Sequence, residues 1–255
     1  MTEVAKGDGW ELRLGDWRTV LADVEACDAV ITDPPYSART HEGHNDGVGD
    51  GVRRREARPW LRSDGRIEPA AAVRRAITYA LWSDSDVADF VASMSPRCRG
   101  WFVSMTSHDL AGAYDTALAG AGRYVFAPLP FLSPGSRVRL SGDGPSSWTC
   151  WVIVARPKTQ LMQRWGTLPG GYVFPPEASA VVGAKPLGLM RAIVRDYTKP
   201  GDLVVDPFCG GGTTALACVM EGRRCITSEI DPETFEKARK RLERGHTRDM
   251  FTGAT

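Results

Sequence analysis

Short apolar runs separated by turn residues set the framework of this chain. Glu11-Leu12-Arg13-Leu14 alternates and ends at Gly15-Asp16, which predicts a strand closed by a turn. Val20 to Val24 predicts a helical turn or two. Ala29-Val30-Ile31-Thr32 is too apolar to be half exposed and reads as a central parallel strand. It stops at Asp33-Pro34-Pro35-Tyr36, because proline cannot donate to a sheet ladder.

Val87, Phe90, Val91 and Met94 recur at helical spacing, with Ser85 as the expected cap. Trp101-Phe102-Val103 predicts a strand, and Ser107 caps an expected helix through Leu110, Tyr114 and Leu118 that Gly120 ends. Tyr124-Val125-Phe126 and Trp151 to Ala155 are strands joined without a helix, through a glycine- and serine-rich stretch at 137–147. They therefore suggest an antiparallel pair at a sheet edge. Lys185-Pro186 opens a helix whose apolar face is Leu189, Ile193, Val194 and Tyr197. Leu203-Val204-Val205-Asp206 is a buried strand. Pro207-Phe208-Cys209-Gly210-Gly211-Gly212 turns it into a helix from about Thr213 to Met220. Arg224 to Ser228 forms the next strand, ending at Glu229. Asp231-Pro232 starts the last helix, with Phe235, Ala238 and Leu242 inward and Lys237, Arg239, Lys240, Arg241 and Arg244 on a solvated face. The alternation of strands and helices predicts one α/β domain with a mixed, mostly parallel sheet.

Composition narrows the class. Over 255 residues, 42% are apolar and 25% charged, as in a globular protein. No apolar run approaches the ~20 residues of a membrane span, and Met1 to Lys6 lacks the apolar core of a signal peptide. The six cysteines form no C-x-x-C pair and are expected to be reduced, so a cytoplasmic protein without a zinc site is expected. Net charge is +1, so a nucleic-acid footprint must be local. One local candidate is the irregular stretch 37–78, a basic insertion. It carries eight arginines between Arg53 and Arg75 (among them Arg53, Arg54, Arg55, Arg58 and Arg62) against three acids. Arginines beside the Asp33 turn suit phosphate contacts, and Trp60 could add stacking. His41-Glu42-Gly43-His44 has its histidines three apart in a glycine-rich loop, which is not a zinc pattern. A second irregular region, 156–184, contains Arg164, Trp165 and Tyr172.

The glycines let the backbone approach a ligand, and Glu229 follows Asp206 by 23 residues at the next strand end. That spacing suits a carboxylate on ribose hydroxyls. Thr213-Thr214 stands where a phosphate-binding P-loop has its lysine. An acid at position 206 suits a cationic sulfonium better than a diphosphate.

Asp33-Pro34-Pro35-Tyr36 resembles the catalytic motif of amino-group DNA methyltransferases, and Asp206 to Thr214 resembles the S-adenosylmethionine motif of that family. The order Gly15-Asp16, Asp33 to Tyr36, Lys185-Pro186, Asp206 to Thr214, Glu229 is similar to the circularly permuted β class. The resemblance covers nearly the whole chain and leaves 37–78 and 156–184 as its variable parts, the latter a candidate target-recognition region in which it makes Arg164, Trp165 and Tyr172 candidate DNA contacts. It implies a Rossmann-like SAM-dependent methyltransferase fold with an antiparallel hairpin at the C-terminal edge. It implies catalytic roles for Asp33, Pro34, Pro35 and Tyr36. It implies S-adenosylmethionine contacts at Asp16, Asp33, Lys185, Asp206, Pro207, Phe208, Cys209, Gly210, Gly212, Thr213, Thr214 and Glu229. Cys209-Gly210-Gly211 departs from the family's glycine-serine-glycine run, which alters packing but keeps the turn. The implied activity is methylation of adenine N6 in double-stranded DNA with a flipped target base. Cytosine N4 is the alternative, since Asp33 leans toward adenine only as a family tendency. An RNA- or protein-directed enzyme is a weaker rival, and a non-catalytic DNA-binding or regulatory protein keeping the fold is another. Dimers are common in the resembled class, and a homodimer and a partner restriction nuclease both stay open.

Overall fold

A computed structural model describes residues 3–38, 53–54, 60–61, 67–68, 73–74, 80–135, 148–159, 165–177, 181 and 183–251. The chain begins with β1 (Val4–Gly7), β2 (Trp10–Leu14), α1 (Trp17–Val20) and β3 (Ala29–Thr32). Four two-residue strands follow: β4 (Arg53–Arg54), β5 (Trp60–Leu61), β6 (Ile67–Glu68) and β7 (Val73–Arg74). They pair as β4 with β7 and β5 with β6, outside the main sheet. Next come α2 (Asp84–Met94), β8 (Phe102–Thr106), α3 (Ala111–Gly120), β9 (Arg123–Val125), β10 (Leu129–Leu132), β11 (Thr149–Pro157) and β12 (Tyr172–Val173). The last part is α4 (Leu187–Tyr197), β13 (Leu203–Asp206), α5 (Thr213–Met220), β14 (Arg224–Glu229) and α6 (Pro232–Phe251).

The main sheet runs β1-β2-β14-β13-β3-β8-β11-β10-β12, with β9 also on β11. Its five middle strands, β2, β14, β13, β3 and β8, are mutually parallel. Their residues alternate between two apolar layers, as a sheet covered on both faces requires. Ala29, Ile31 and Val204 join Leu189, Ile193 and Ala217 in one layer. Val30, Phe102 and Val205 join Trp17, Phe90 and Leu118 in the other. After β3 the chain crosses to β8 on one side, and after β13 it crosses to β14 on the other. The connections therefore diverge between β13 and β3, and such a switch point opens a crevice at the carboxyl ends of the strands.

Several elements differ from the sequence expectations. The first helix spans Trp17–Val20, not Val20 to Val24, because Asp16 caps it with its carboxylate on the Arg18 amide. The cap of α2 is Ser83, which forms a capping box with Asp86, so Ser85 is inside the helix. The α3 helix begins at Ala111 rather than just after Ser107. β9 does pair antiparallel with β11. The sheet, however, continues past that pair through β10, whose Pro130 conceals it in the sequence, and β12. Within the second irregular region, Tyr172 is buried and its hydroxyl donates to Asp196, while the Trp165 ring nitrogen donates to the Asp196 carbonyl. Both aromatics belong to the packed core rather than to a DNA-facing surface. Arg241 leaves the solvated face assigned to it and donates to the Gly211 carbonyl and the Thr213 hydroxyl. Arg55, Arg58, Arg62, Arg164, the His41 to His44 stretch and residues 137–147 lie outside the described residues. Arg53 and Arg54 are described only as backbone in β4, with Arg53 opposite Arg74. No helix among the described residues is long and apolar enough to cross a membrane.

Candidate active site

Four carboxylates stand at the carboxyl ends of four adjacent strands: Asp16 beyond β2, Glu229 ending β14, Asp206 ending β13 and Asp33 beyond β3. The sheet itself sets this row. The Gly15 amide donates to the Glu229 carbonyl at 2.8 Å, so the β2 turn is locked to β14. Asp16 spends one carboxylate oxygen on capping α1 and pairs with Arg18 through the other.

Asp206 lies fully inside. The Thr32 hydroxyl donates to its Oδ1 at 2.6 Å and the Phe208 amide at 3.1 Å. Burial raises its pKa to about 6, only partly opposed by these donors and the Thr214 hydroxyl. Glu229 accepts from the Gly210 amide at 2.9 Å and the Asp231 amide at 3.0 Å. Burial pushes its carboxyl upward as well. Among the described residues, no lysine or arginine forms an ion pair with either acid.

The glycine turn bridges these acids. Gly210 and Gly212 have φ of 51° and 75°, the left-handed region that side chains resist. Cys209 is buried and donates its amide to the Ser228 carbonyl, and the Pro207 carbonyl accepts from the Ser228 hydroxyl. Thr213 and Thr214 are buried at the start of α5. Phe208 projects into an aromatic nest, with ring centroids 6.1 Å from Trp17, 5.2 Å from Trp82 and 5.5 Å from Phe90.

Across the switch point, Asp33 takes two donors. The Tyr36 hydroxyl donates to Oδ1 at 2.8 Å and Lys185 Nζ donates to Oδ2 at 2.5 Å. The same ammonium lies 5.1 Å from the Tyr36 ring centroid. Pro34 is buried and Pro35 half-buried, and neither has an amide N–H that would need a partner where the turn leaves the sheet. The Tyr36 carbonyl accepts from the Trp82 amide at 3.1 Å, which ties the far side of the turn to the start of α2. Burial, and then the neighbouring Asp33 charge, raise the Tyr36 phenol well above its ordinary pKa.

The structure thus places Asp33, with Tyr36 and Lys185 bonded to it, beside Asp206 and Glu229 on neighbouring strand ends, with Phe208 next to Asp206 and Asp16 at the end of the row. Sequence reasoning missed Thr32, Cys150, Trp17, Trp82 and Arg241. Thr32 sits beside the chosen Asp33, and an aromatic directly after the Asp16 cap was the available signal for Trp17. Cys150 and Arg241 reach the site only through tertiary packing.

A family model described as DNA methylase matches residues 176–240, which contain Lys185, the glycine turn and Glu229. The putative methylase YubD of Escherichia coli (strain K12) is 33% identical over 238 residues, covering 89% of this chain and 88% of YubD. Stronger but shorter similarity runs to the type II methyltransferase M.Cfr9I of Citrobacter freundii, 40% identical over 68 residues. That match takes in 27% of this chain and 23% of the relative, so less than a quarter of its length is spanned. Among solved structures, the M1.HpyAVI–SAM complex superposes with a TM-score of 0.64 at 21% identity, over 91% of this chain and 98% of that one. The cytosine-N4-specific PvuII DNA methyltransferase gives 0.61 at 16% identity, over 94% and 92%. With a third of its residues shared with YubD along nearly the full length of both, and the matched segment holding the glycine turn and its carboxylate, the chain belongs to the N6/N4 DNA methylase family.

Proposed function

We propose that this chain transfers a methyl group from S-adenosylmethionine to the N6 amino group of adenine in double-stranded DNA. The observation that carries the reading is the Asp33–Tyr36 pair, joined at 2.8 Å on a proline-fixed turn beside the glycine turn. Residues 1–255 act in this reading as one methyltransferase domain. Arg53, Arg54, Arg55, Arg58 and Arg62 of the 37–78 insertion meet DNA phosphates, and the 156–184 region takes part in target recognition.

The crevice suits a cationic, ribose-bearing cofactor. Asp206 and Glu229 are both held above their ordinary pKa by burial, and a positive ligand offsets that cost. Glu229 keeps lone pairs for ribose hydroxyls after accepting two backbone amides, and Phe208, with the Trp17 and Trp82 rings against it, gives an apolar wall for an adenine. Asp16, Lys185, Pro207, Cys209, Gly210, Gly212, Thr213 and Thr214 complete the binding set, with Lys185 suited to a carboxylate at the methionine end. When bound, S-adenosylmethionine supplies an electrophilic methyl group on sulfonium sulfur.

The chain's own residues prepare the nucleophile. An exocyclic amine is weak because its lone pair is delocalised into the ring. Asp33 accepts one N–H and the Pro34 carbonyl the other, which favours a pyramidal nitrogen with its lone pair free. Pro35 fixes the path of the turn. The Tyr36 ring stacks on the flipped base, and stacking of ~1–3 kcal/mol offsets part of the flipping cost.

Cytosine N4 is the second reading, favoured by the fold likeness to the cytosine-N4-specific PvuII enzyme. The test is incubation with labelled S-adenosylmethionine and mixed-sequence DNA, followed by nucleoside mass spectrometry. N6-methyladenine supports the first reading and N4-methylcytosine the second. Tight cofactor binding with no transfer to any nucleic acid would replace both with a non-catalytic DNA-binding or regulatory role.

A further inference from the structure

Cys150 lies in β11, far in sequence from the proline turn, and reaches the site because β11 runs antiparallel to β8. Trp151 pairs with Thr106, so Cys150 falls at the carboxyl end of β8, level with the crevice. Its Sγ is 2.8 Å from the Tyr36 hydroxyl and 3.5 Å from the Thr106 carbonyl. The phenol has a single proton, and the Asp33 carboxylate is a far stronger acceptor than a thiol sulfur. The proton therefore belongs on the Tyr36-to-Asp33 bond, and the thiol proton points at the phenol oxygen or at Thr106.

Resting on the proposed reaction, we infer that Cys150 is a positioning residue for it: the thiol holds the Tyr36 hydroxyl against Asp33. The ring that would stack on the target base and the carboxylate that would accept its amine then share one fixed geometry. Three observations support this role. The three side chains form a continuous contact from β11 to the end of β3. Tyr36 is otherwise anchored through its backbone carbonyl and by the Lys185 ammonium over its ring. Burial also raises the Cys150 thiol above its ordinary pKa, so the group remains a neutral donor at working pH.

The test uses the full chain with two substitutions, Cys150→Ala and Cys150→Ser, each also placed in a Tyr36→Phe background. Serine keeps a donor at nearly the same place. Expected is a kcat about tenfold lower for Cys150→Ala, as for loss of roughly 1.4 kcal/mol of transition-state positioning. Cofactor affinity stays unchanged and Cys150→Ser recovers most of the loss. In the Tyr36→Phe background Cys150→Ala has no further effect, since the hydroxyl it acts through is gone. Equal losses for alanine and serine, or an undiminished loss in the Tyr36→Phe background, would overturn the role and leave only packing. A second readout needs no substrate: in protein labelled with 13Cζ-tyrosine, the Tyr36 resonance should move in Cys150→Ala and return toward its position in Cys150→Ser. An unmoved resonance refutes the contact. Wild-type chain that gives this pattern yet methylates no DNA refutes the proposed reaction, and with it Cys150's part in transfer, while the contact itself stands.

Discussion

Thr32 and Asp206 are 174 residues apart and share a buried hydrogen bond of 2.6 Å, hydroxyl to carboxylate, across the strand pair where the sheet's connections diverge. This bond joins the half of the site that carries Asp33 to the half that carries the glycine turn. Thr32→Val keeps the shape and removes the donor. It should cost ~1.5–3 kcal/mol at neutral pH, the range for a hydrogen bond to a charged group. Urea unfolding monitored by far-UV circular dichroism reads the loss, and a change under about 0.5 kcal/mol would mean that the bond adds little.

Asp206 predicts a pH dependence. Its folded pKa of about 6 lies above the ordinary 3.8 because of burial. The folded state therefore binds the proton more tightly, and ionising the group opposes folding. Stability from this residue is fully present below about pH 4, falls as pH rises toward 6 and is flat above. The two-unit gap corresponds to roughly 3 kcal/mol. Asp206→Asn cannot ionise but keeps an acceptor for Thr32. Relative to wild type, the unfolding free energy of Asp206→Asn should rise by about that amount between pH 4 and 6.5. A pH-independent difference would reject the assignment.

Asp33→Ala removes the acceptor of both Tyr36 and Lys185 and, in the proposed reaction, the acceptor of the target amine. Methyl transfer should fall by roughly 10²–10⁴-fold, the usual worth of a positioned acid–base group. Cofactor binding by titration calorimetry should persist, since Glu229 and the glycine turn are untouched. Retained transfer would falsify the catalytic assignment.

The contrast between Asp33 and Cys150 shows how much of the site was legible in the sequence. Asp33, Tyr36, the glycine turn and Glu229 announce themselves because a proline pair or a glycine run must stop or turn a strand locally. The central strands were legible for the same reason, being short apolar runs between such signals. Cys150 and Thr32 carry no local mark. Their roles come from register, in one case β11 against β8 and in the other β3 beside β13. Tyr172 and Trp165 misled because aromatics in a proline- and glycine-rich stretch look exposed. Their polar atoms find Asp196 on α4 instead, and β12 adds a strand that two residues cannot advertise.

Glu229→Ala deletes the acceptor of the Gly210 and Asp231 amides together with the expected ribose ligand. S-adenosylmethionine affinity should drop at least tenfold, and Glu229→Gln, which keeps one acceptor, should fall between. Calorimetric titration checks both, and an unchanged dissociation constant would move the ribose contact to another residue.

Arg241 separates the shape of the glycine turn from its ligand groups. Its guanidinium donates at 2.9 Å to the Gly211 carbonyl and at 2.8 Å to the Thr213 hydroxyl, bolting α6 onto the turn. It has no part in the proposed chemistry, and burial lowers its pKa. Arg241→Met keeps the apolar stem and leaves a buried carbonyl without its donor, which costs about 1–3 kcal/mol. Because Gly210 and Gly212 already hold left-handed backbone, the loosened turn should populate other conformations before binding. Cofactor affinity should then weaken by the fraction of competent turn, while kcat at saturating cofactor stays near wild type. Amide exchange at residues 210–213 should quicken in the substituted chain. Exchange as slow as in wild type, together with weakened affinity, would mean that Arg241 contacts the cofactor directly instead.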